Sequence, residues 1–258
     1  HEDFTGQYGK FYSSYASAPW YQAEVAESES MAAKHGFESN RELKLAVVKK
    51  IRDFMLGGGF LFAMCSATDS YDIAMAAEST DICESMFDGT PADQNAQSKL
   101  NFDNCIAFKD FALNMDPYFY EFSNIDVDPR TRAVSEENDL FTLFDYSAKW
   151  DLIPSILCQN HTKTIKGFMG QTTAYRSHLV RSDVLVMGEN ALLNEARYLH
   201  GEFGKGTWTF FGGHDPEDYQ HFVGEAPTDL NLHPNSPGYR LILNNILFPS
   251  AQKSKQKT

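Results

Sequence analysis

The sequence lacks the short motifs that bind zinc, a redox disulfide or a nucleotide. Its four cysteines, Cys65, Cys83, Cys105 and Cys158, include no CxxC pair, which argues against a zinc ribbon or a thioredoxin-type site. Four cysteines in 258 residues are too sparse for a disulfide scaffold, although they are compatible with one disulfide. No GxGxxG or GxxxxGKS/T stretch is present, so we expect no nucleotide or other cofactor.

The sequence is also short of positive charge and of long apolar runs. It has 22 lysines and arginines against 35 aspartates and glutamates, a formal net charge of −13. Because nucleic-acid backbones require a basic surface, we expect no nucleic-acid partner. No apolar stretch approaches the ~20 residues of a membrane-spanning helix, so we expect no membrane span.

The composition is that of an ordinary globular protein, with 42% hydrophobic and 22% charged residues. A chain of this length can form one large domain or two small ones, and we expect a single domain over 1–258. Residues 85–160 are rich in charge and in turn formers, which indicates an excursion of loops and short strands within that domain. The chain begins at His1, and HEDFTG resembles the end of a strand–loop junction, so we expect an N-terminal portion to be missing.

A helix, a strand and a second helix follow one another in the first third of the chain. Ser39 or Asn40 can cap the helix SNRELKLAVVKKIRDFMLGGG, and Gly57 to Gly59 end it. FLFAMC then reads as a buried strand and SYDIAMAAES as a helix. This order predicts an α/β fold whose sheet is mainly parallel, with helices on its faces. Further on, FGKG predicts a late β-hairpin, and Ser236 with Pro237 predicts the start of the last helix.

The strand–helix junction carries the candidate nucleophile. Its frame is Ala63-Met64-Cys65-Ser66-Ala67, and small neighbours are what a sharp strand-to-helix turn needs. A thiol at a helix N-terminus gains thiolate character, and the N–H of Ser66 can stabilise an oxyanion. The alternative is that Cys65 only fills space in the core, as buried cysteines often do.

The candidate base is His214 in TFFGGHDPEDYQH. It follows a predicted strand and two glycines that let the backbone pass close to another element or to a ligand. Asp215 and Glu217 come directly after it, and either can hold the imidazole in the productive tautomer. The alternative is a surface loop with solvated acids.

The loop HEDFTGQYG is the third component of the predicted site. Thr5 and Gly6 can present backbone N–H groups to an oxyanion, together with the N–H of Ser66. If the segment before the loop is a parallel strand, the loop lies at the carboxyl edge of the sheet, where open α/β folds bind ligands.

A cysteine at such a junction, followed by a late histidine and glutamate, resembles the class I glutamine amidotransferase-like superfamily. HDPE at 214–217 contains the elements of that superfamily's HPE motif with one inserted residue, and alanine stands where its elbow usually has glycine. The resemblance implies a flavodoxin-like α/β fold and a Cys–His–Glu triad that hydrolyses an amide.

A closer resemblance is to a bacterial family commonly labelled "asparagine synthetase B". This resemblance implies an additional N-terminal portion and an extracytoplasmic, periplasmic location. The matching stretches are HEDFTGQYGKFY, GGGFLFAMCSATDSYDIA, QNHTKTIKGFMGQTTA, GEFGKGTWTFFGGHDPEDYQH and LHPNSPGYRLILNN.

Three functions compete on these residues. The first is a cysteine hydrolase of the amidotransferase-like kind, acting on an amide or ester, in which Cys65 attacks and His214 moves the proton. The second is a non-catalytic binding or scaffold module with the same fold, for a small-molecule or glycan-like ligand or a partner protein. The third is a metallohydrolase with His214, Asp218 and His221 as ligands.

Overall fold

The structure, a computed structural model, describes residues 2–128, 132, 134–145, 155–219 and 224–251. Within these residues, none of the helices is both long enough and apolar enough to cross a membrane.

Eight α-helices and seven strands lie in the described residues. The helices are α1 (Tyr12–Tyr15), α2 (Pro19–Lys34), α3 (Asn40–Leu56), α4 (Ser66–Ala76), α5 (Ser85–Asp88), α6 (Ala96–Lys99), α7 (Ser155–Cys158) and α8 (Pro237–Leu247). The strands are β1 (Phe60–Met64), β2 (Leu140–Leu143), β3 (Thr164–Lys166), β4 (Tyr175–Arg176), β5 (Leu185–Asn190), β6 (Glu195–Phe203) and β7 (Gly206–Phe211).

The strands form one curled, mostly antiparallel sheet. Its order is β1-β7-β6-β5-β2-β3, with β4 pairing β6. Among the strands described, β1 and β7 are the only parallel pair, and the sheet curls into a half-barrel. The predicted mainly parallel, flavodoxin-like sheet is therefore wrong.

Short connections explain the strand directions. The turn Gly204–Lys205 joins β6 to β7, and residues 191–194 join β5 to β6. A turn of two to four residues can connect only antiparallel strands, because a parallel pair needs a crossover of about a dozen residues or more. The late hairpin was predicted correctly. In the helix–strand–helix succession α3–β1–α4, the strand β1 has a single parallel neighbour, β7.

The predicted helix starts are confirmed. The Ser39 side chain accepts the N–H of Glu42 and caps α3. Ser236 accepts the N–H of Tyr239 and caps α8, which has Pro237 in its first turn.

Two apolar clusters lie on opposite faces of the sheet. Leu199 and Phe210 belong to the cluster that also includes residues of α3 and α4. Their neighbours Tyr198 and Phe211 belong to the cluster that includes Leu241 of α8. This alternation is expected, because successive side chains of a strand point to opposite faces.

The described residues of 85–160 form loops, short helices and β2. They are packed into the main core, since Phe108, Phe111, Phe122 and Ile125 are at most 2% exposed and belong to the cluster of α3 and α4. Asp72 in α4 anchors the region by accepting the N–H of Phe108 at 2.7 Å.

A buried ionic network ties β6 to the loops beside it. Asp139 accepts hydrogen bonds from Arg132 at 2.6 Å and from Arg197 at 2.5 Å. Glu195 accepts from the same two guanidinium groups, and the Tyr219 hydroxyl donates to Asp139 at 3.2 Å. The four charged side chains are at most 5% exposed. Charges this deeply buried are tolerated only when they are paired. Here the negative charges of the two carboxylates balance the positive charges of the two arginines.

Candidate active site

The parallel pair of strands brings Cys65 and His214 to the same edge of the sheet. Met64, the last residue of β1, lies opposite Phe211, the last residue of β7. Cys65 follows β1 directly, and His214 follows β7 after two glycines. Parallel strands end at the same edge, so two residues 149 positions apart in the sequence become neighbours in the fold.

Cys65 has the backbone conformation of a sharp strand-to-helix turn. Its φ and ψ are 57° and −139°, a region that costs a residue with a side chain about 1–3 kcal/mol. Its N–H continues the sheet by donating to Phe211 O at 3.1 Å, and its carbonyl accepts the N–H of Thr68 in the first turn of α4. The strain is held in place by the strand on one side and the helix on the other.

Residues 167–173, GFMGQTT, pass between the cysteine and the histidine. The sequence analysis did not predict a role for this segment in the site. Gly212 and Gly213 leave room for this segment because they have no side chain. A Cβ at either glycine would lie 2.3–2.4 Å from a carbonyl oxygen of the segment. A Cβ at Gly170 would lie 3.0 Å from Cys65 Sγ and 3.1 Å from His214 Cδ2. Cys65 Sγ and His214 Cδ2 are therefore no more than about 6 Å apart.

Backbone N–H groups surround the sulfur. Gln171 N donates to Cys65 Sγ at 3.0 Å. Cys65 is only 1% exposed, and this burial raises the pKa of its thiol, while the N–H groups of Thr172, Gln171 and Ser66 act in the opposite direction. These donors can stabilise a thiolate or the oxyanion of a bound acyl group.

His214 is held through its backbone and lies beside Asp215. Its N–H donates to Met169 O at 2.6 Å. The Asp215 carboxylate accepts hydrogen bonds from the hydroxyls of Thr228, at 2.7 Å, and Tyr239, at 3.0 Å. Burial raises the pKa of Asp215, but these bonds and the charge of His214 outweigh it and hold that pKa below its usual value. Asp215 is therefore a fixed negative charge next to the imidazole.

The other predicted acid, Glu217, has a different partner. Its carboxylate lies 3.3 Å from His233 Nδ1, and its N–H donates to Asp215 Oδ1. His221, a ligand of the metallohydrolase hypothesis, lies outside the described residues.

The predicted Thr5–Gly6 turn is held by contacts within its own loop and with α3. The N–H and hydroxyl of Thr5 both donate to Asp3 Oδ1 at 2.7 Å. Gly6 packs against α3, where a Cβ would lie 2.7 Å from the Cα of Arg41. Ser66, by contrast, borders the same cavity as Cys65.

A cavity of about 510 Å³ opens in front of the sulfur and the imidazole. Its remaining wall includes three acidic residues, three aromatic residues and one lysine. The lining residues are Glu2, Asp3, Tyr8, Gly9, Phe11, Glu24, Ser28, Asn40, Lys44, Cys65, Ser66, Tyr120, Met169, Gly170, Gln171 and His214. The volume lies in the range of small-molecule sites.

One group of metal-ligating residues is found in the described part of the chain. Donor atoms of Asp81, Cys83 and Asp88 lie within 4.8 Å of one another. The Cys83 thiol donates to Thr5 O, and burial raises its pKa well above the usual value. All four cysteines are free, so no disulfide forms.

Comparisons with known proteins gave no relatives. No family model matches the chain, and no significant match was found among curated proteins or solved structures. The resemblance to amidotransferase-like proteins stays a prediction.

Proposed function

We propose that the protein is a cysteine hydrolase of the amidotransferase-like kind, which acts on an amide or ester with Cys65 as nucleophile and His214 as base. The observation that supports this most is the strained conformation of Cys65 at the floor of a cavity that His214 also borders. Backbone strain of this kind persists where function uses it.

The reaction follows the usual course of thiol acyl transfer. His214 takes the thiol proton as Sγ forms a bond to the substrate carbonyl carbon, and the carbonyl oxygen becomes an oxyanion. The Ser66 N–H at the start of α4 stabilises that oxyanion. The amine or alcohol leaves with the proton from His214, and water, deprotonated by His214, then hydrolyses the thioester and frees Cys65.

We assign the acid of the site to Asp215 rather than Glu217. Asp215 adjoins His214 and is fixed by two hydroxyls, so its charge can stabilise the imidazolium that forms in each step. Glu217 contacts His233 instead.

A non-catalytic binding module is the second candidate. It is favoured by the deep burial of Cys65 and by the raised pKa of its thiol, because a protonated thiol is a poor nucleophile. The two candidates differ in whether an acyl group is transferred to Cys65.

A burst experiment with p-nitrophenyl acetate separates them. We expect one equivalent of p-nitrophenol to be released rapidly per chain, followed by slow turnover, because the thioester forms faster than it is hydrolysed. Cys65→Ala should abolish the burst, and His214→Ala should slow it by about 100-fold or more. Cys158→Ser is the matched control, since Cys158 is the most exposed of the four cysteines, and it should leave the burst intact. A burst that persists in Cys65→Ala would rule out the proposal.

The charge of the cavity wall restricts the substrate. The charged residues that line the cavity are one lysine, Lys44, and three acids, Glu2, Asp3 and Glu24. Lys44 is paired with Glu2 at 2.6 Å. The wall is therefore net negative, so we propose that the substrate is a neutral or cationic small molecule. The aromatic lining also suits an apolar or sugar-ring face.

Charged thiol reagents measure this preference without any turnover. We expect Cys65 to react about tenfold faster with cationic 2-aminoethyl methanethiosulfonate than with anionic 2-sulfonatoethyl methanethiosulfonate, after correction for their rates with a free thiol. Glu24→Gln should lower this ratio, and so should high salt. A ratio that favours the anionic reagent would contradict the assignment.

A further inference from the structure

A group of aromatic rings lies at one side of the cavity that contains Cys65. Phe11 and Tyr120 line the cavity, and their ring centroids are 5.9 Å apart. The rings of Trp20 and Tyr15 lie 5.8 Å and 6.0 Å from that of Phe11 and 5.1 Å from each other. We call these four residues the aromatic cluster.

Gln171 ties the aromatic cluster to the candidate nucleophile. Its backbone N–H donates to Cys65 Sγ at 3.0 Å. Its side-chain amide donates to Gly9 O at 2.7 Å and to Tyr120 O at 3.2 Å. Gly9 lies two residues before Phe11, so both cluster residues that line the cavity are connected to the residue that contacts the sulfur.

Part of the aromatic cluster is open to a ligand. Trp20 is 37% exposed and Tyr120 is 38% exposed, and an exposed apolar patch beside a cavity is typical of a ligand-binding surface. The ring planes of the four contacting pairs meet at 49–76°. None of these pairs forms a parallel slot for a flat ring, so the cluster suits a rounded group that touches more than one ring.

A carboxylate lies one helical turn from Trp20 on the same face of α2. Glu24 and Ser28 follow Trp20 at intervals of four residues, and residues four apart share a helix face. Both line the cavity. Lys44, the one lysine of the wall, is paired with Glu2 at 2.6 Å, whereas Glu24 forms no salt bridge within the part of the chain that the structure describes.

The charges around Glu24 favour a positive ligand. Burial raises the pKa of Glu24, and the charges of Glu2 and Asp3 act in the same direction, against that of Lys44. A cation beside Glu24 would offset this repulsion, which a neutral or anionic ligand would not do.

The aromatic rings favour the same charge and also restrict its chemical form. The face of an aromatic ring is negative and attracts a cation within about 6 Å of the ring centroid. A primary ammonium group would lose hydrogen bonds to water against these faces, which is costly. An alkylated ammonium group has fewer such bonds to lose, and its methyl groups pack against the rings.

We propose that the aromatic cluster and Glu24 bind an alkylated ammonium group, such as trimethylammonium, and that the substrate of Cys65 carries this group. The second part rests on the proposed function. The first part does not, because binding of the group can be measured without turnover.

Two small molecules of the same shape test the first part. Choline and 3,3-dimethylbutan-1-ol differ in the charge of one central atom, and each has a single set of equivalent methyl protons. Saturation-transfer NMR on these protons gives the affinity of each for the whole chain. We expect choline to bind about tenfold more tightly than the alcohol.

Substitutions in the site separate the contribution of the ring from that of the acid. Trp20→Leu keeps an apolar side chain without a ring, so it should weaken choline about fivefold and leave the alcohol within about twofold. Trp20→Phe keeps a ring face and should retain choline within about twofold. Glu24→Gln should weaken choline about threefold, and it replaces Trp20→Leu if that chain does not fold.

Phe54→Leu is the matched control for the loss of an aromatic ring. Phe54 is 61% exposed on α3 and is not among the residues that line the cavity. Its substitution should leave the affinity for choline unchanged.

The proposal is overturned if the neutral alcohol binds as tightly as choline, or if neither Trp20→Leu nor Glu24→Gln weakens choline. Tighter binding of ethanolamine, a primary ammonium, or of methyl glucoside, a neutral sugar, would also overturn it. If choline binds as expected while the burst is absent, the hydrolase fails and the ammonium site stands. A burst without any preference for choline gives the reverse result.

Discussion

Gly170→Ala is expected to lower the rate of the p-nitrophenyl acetate burst by about 100-fold or more while the chain remains folded. The added methyl group would lie 2.8 Å from the Cα of Gly213, 3.0 Å from Cys65 Sγ and 3.1 Å from His214 Cδ2. It would enter the space between nucleophile and base and force them apart. A displacement of about 1 Å is enough for a loss of this size.

The matched control is Gly57→Ala at the end of α3. Its Cβ would meet nothing closer than 3.4 Å and its φ is −76°, so neither rate nor stability should change appreciably. Far-ultraviolet circular dichroism and thermal unfolding check that Gly170→Ala is folded, with an overpacking cost of about 1–3 kcal/mol. A folded Gly170→Ala chain with the wild-type burst would show that the two groups do not act together.

Asp139→Ala is expected to lower the free energy of unfolding by about 3–5 kcal/mol, the largest stability effect we predict. The substitution leaves the buried guanidinium groups of Arg132 and Arg197 with Glu195 as their one carboxylate partner in the network. The hydroxyl of Tyr219 loses its acceptor as well. Urea denaturation at neutral pH measures the loss.

An exposed ion pair is the control for this prediction. Asp145 is paired with Lys163, and both side chains are mostly exposed, so Asp145→Ala should change stability by no more than about 1 kcal/mol. The dependence of stability on pH gives a second check. The neighbouring arginines overcome the effect of burial and hold the pKa of Asp139 below its usual value. Its contribution is therefore present above about pH 4 and lost as the pH falls further. Equal effects of the two substitutions would contradict the role of the network.

Local features of the site were readable from the sequence. The small residues around Cys65 lie between an apolar strand and a helix, and that pattern predicted the turn at which the cysteine is found. Two glycines before His214 predicted a close backbone approach, which the segment 167–173 makes. Both predictions concern a few consecutive residues, where steric requirements act directly on residue type.

Long-range features were not readable. Strand direction depends on which strands become neighbours, and the helix–strand–helix pattern at β1 says nothing about the antiparallel strands β2 to β6 that complete the sheet. Gln171 reaches the sulfur through its backbone N–H, a group that every residue except proline carries, so residue type gives no signal.

The sequence also could not show which acid accompanies His214. Asp215 and Glu217 both lie within three positions of His214 along the chain, and the difference between them comes from remote partners. Asp215 is held by Thr228 and by Tyr239 of α8, whereas Glu217 turns toward His233. Neither contact has a short-range pattern.

The location of the acyl group after the burst tests the central claim most directly. Chains quenched in acid during the burst are digested, and the peptides are weighed by mass spectrometry. We predict one acetyl group per chain, on the peptide that contains Cys65, with longer persistence in His214→Ala than in the wild-type chain. An acetyl group on any other residue, or none on Cys65, would contradict the account.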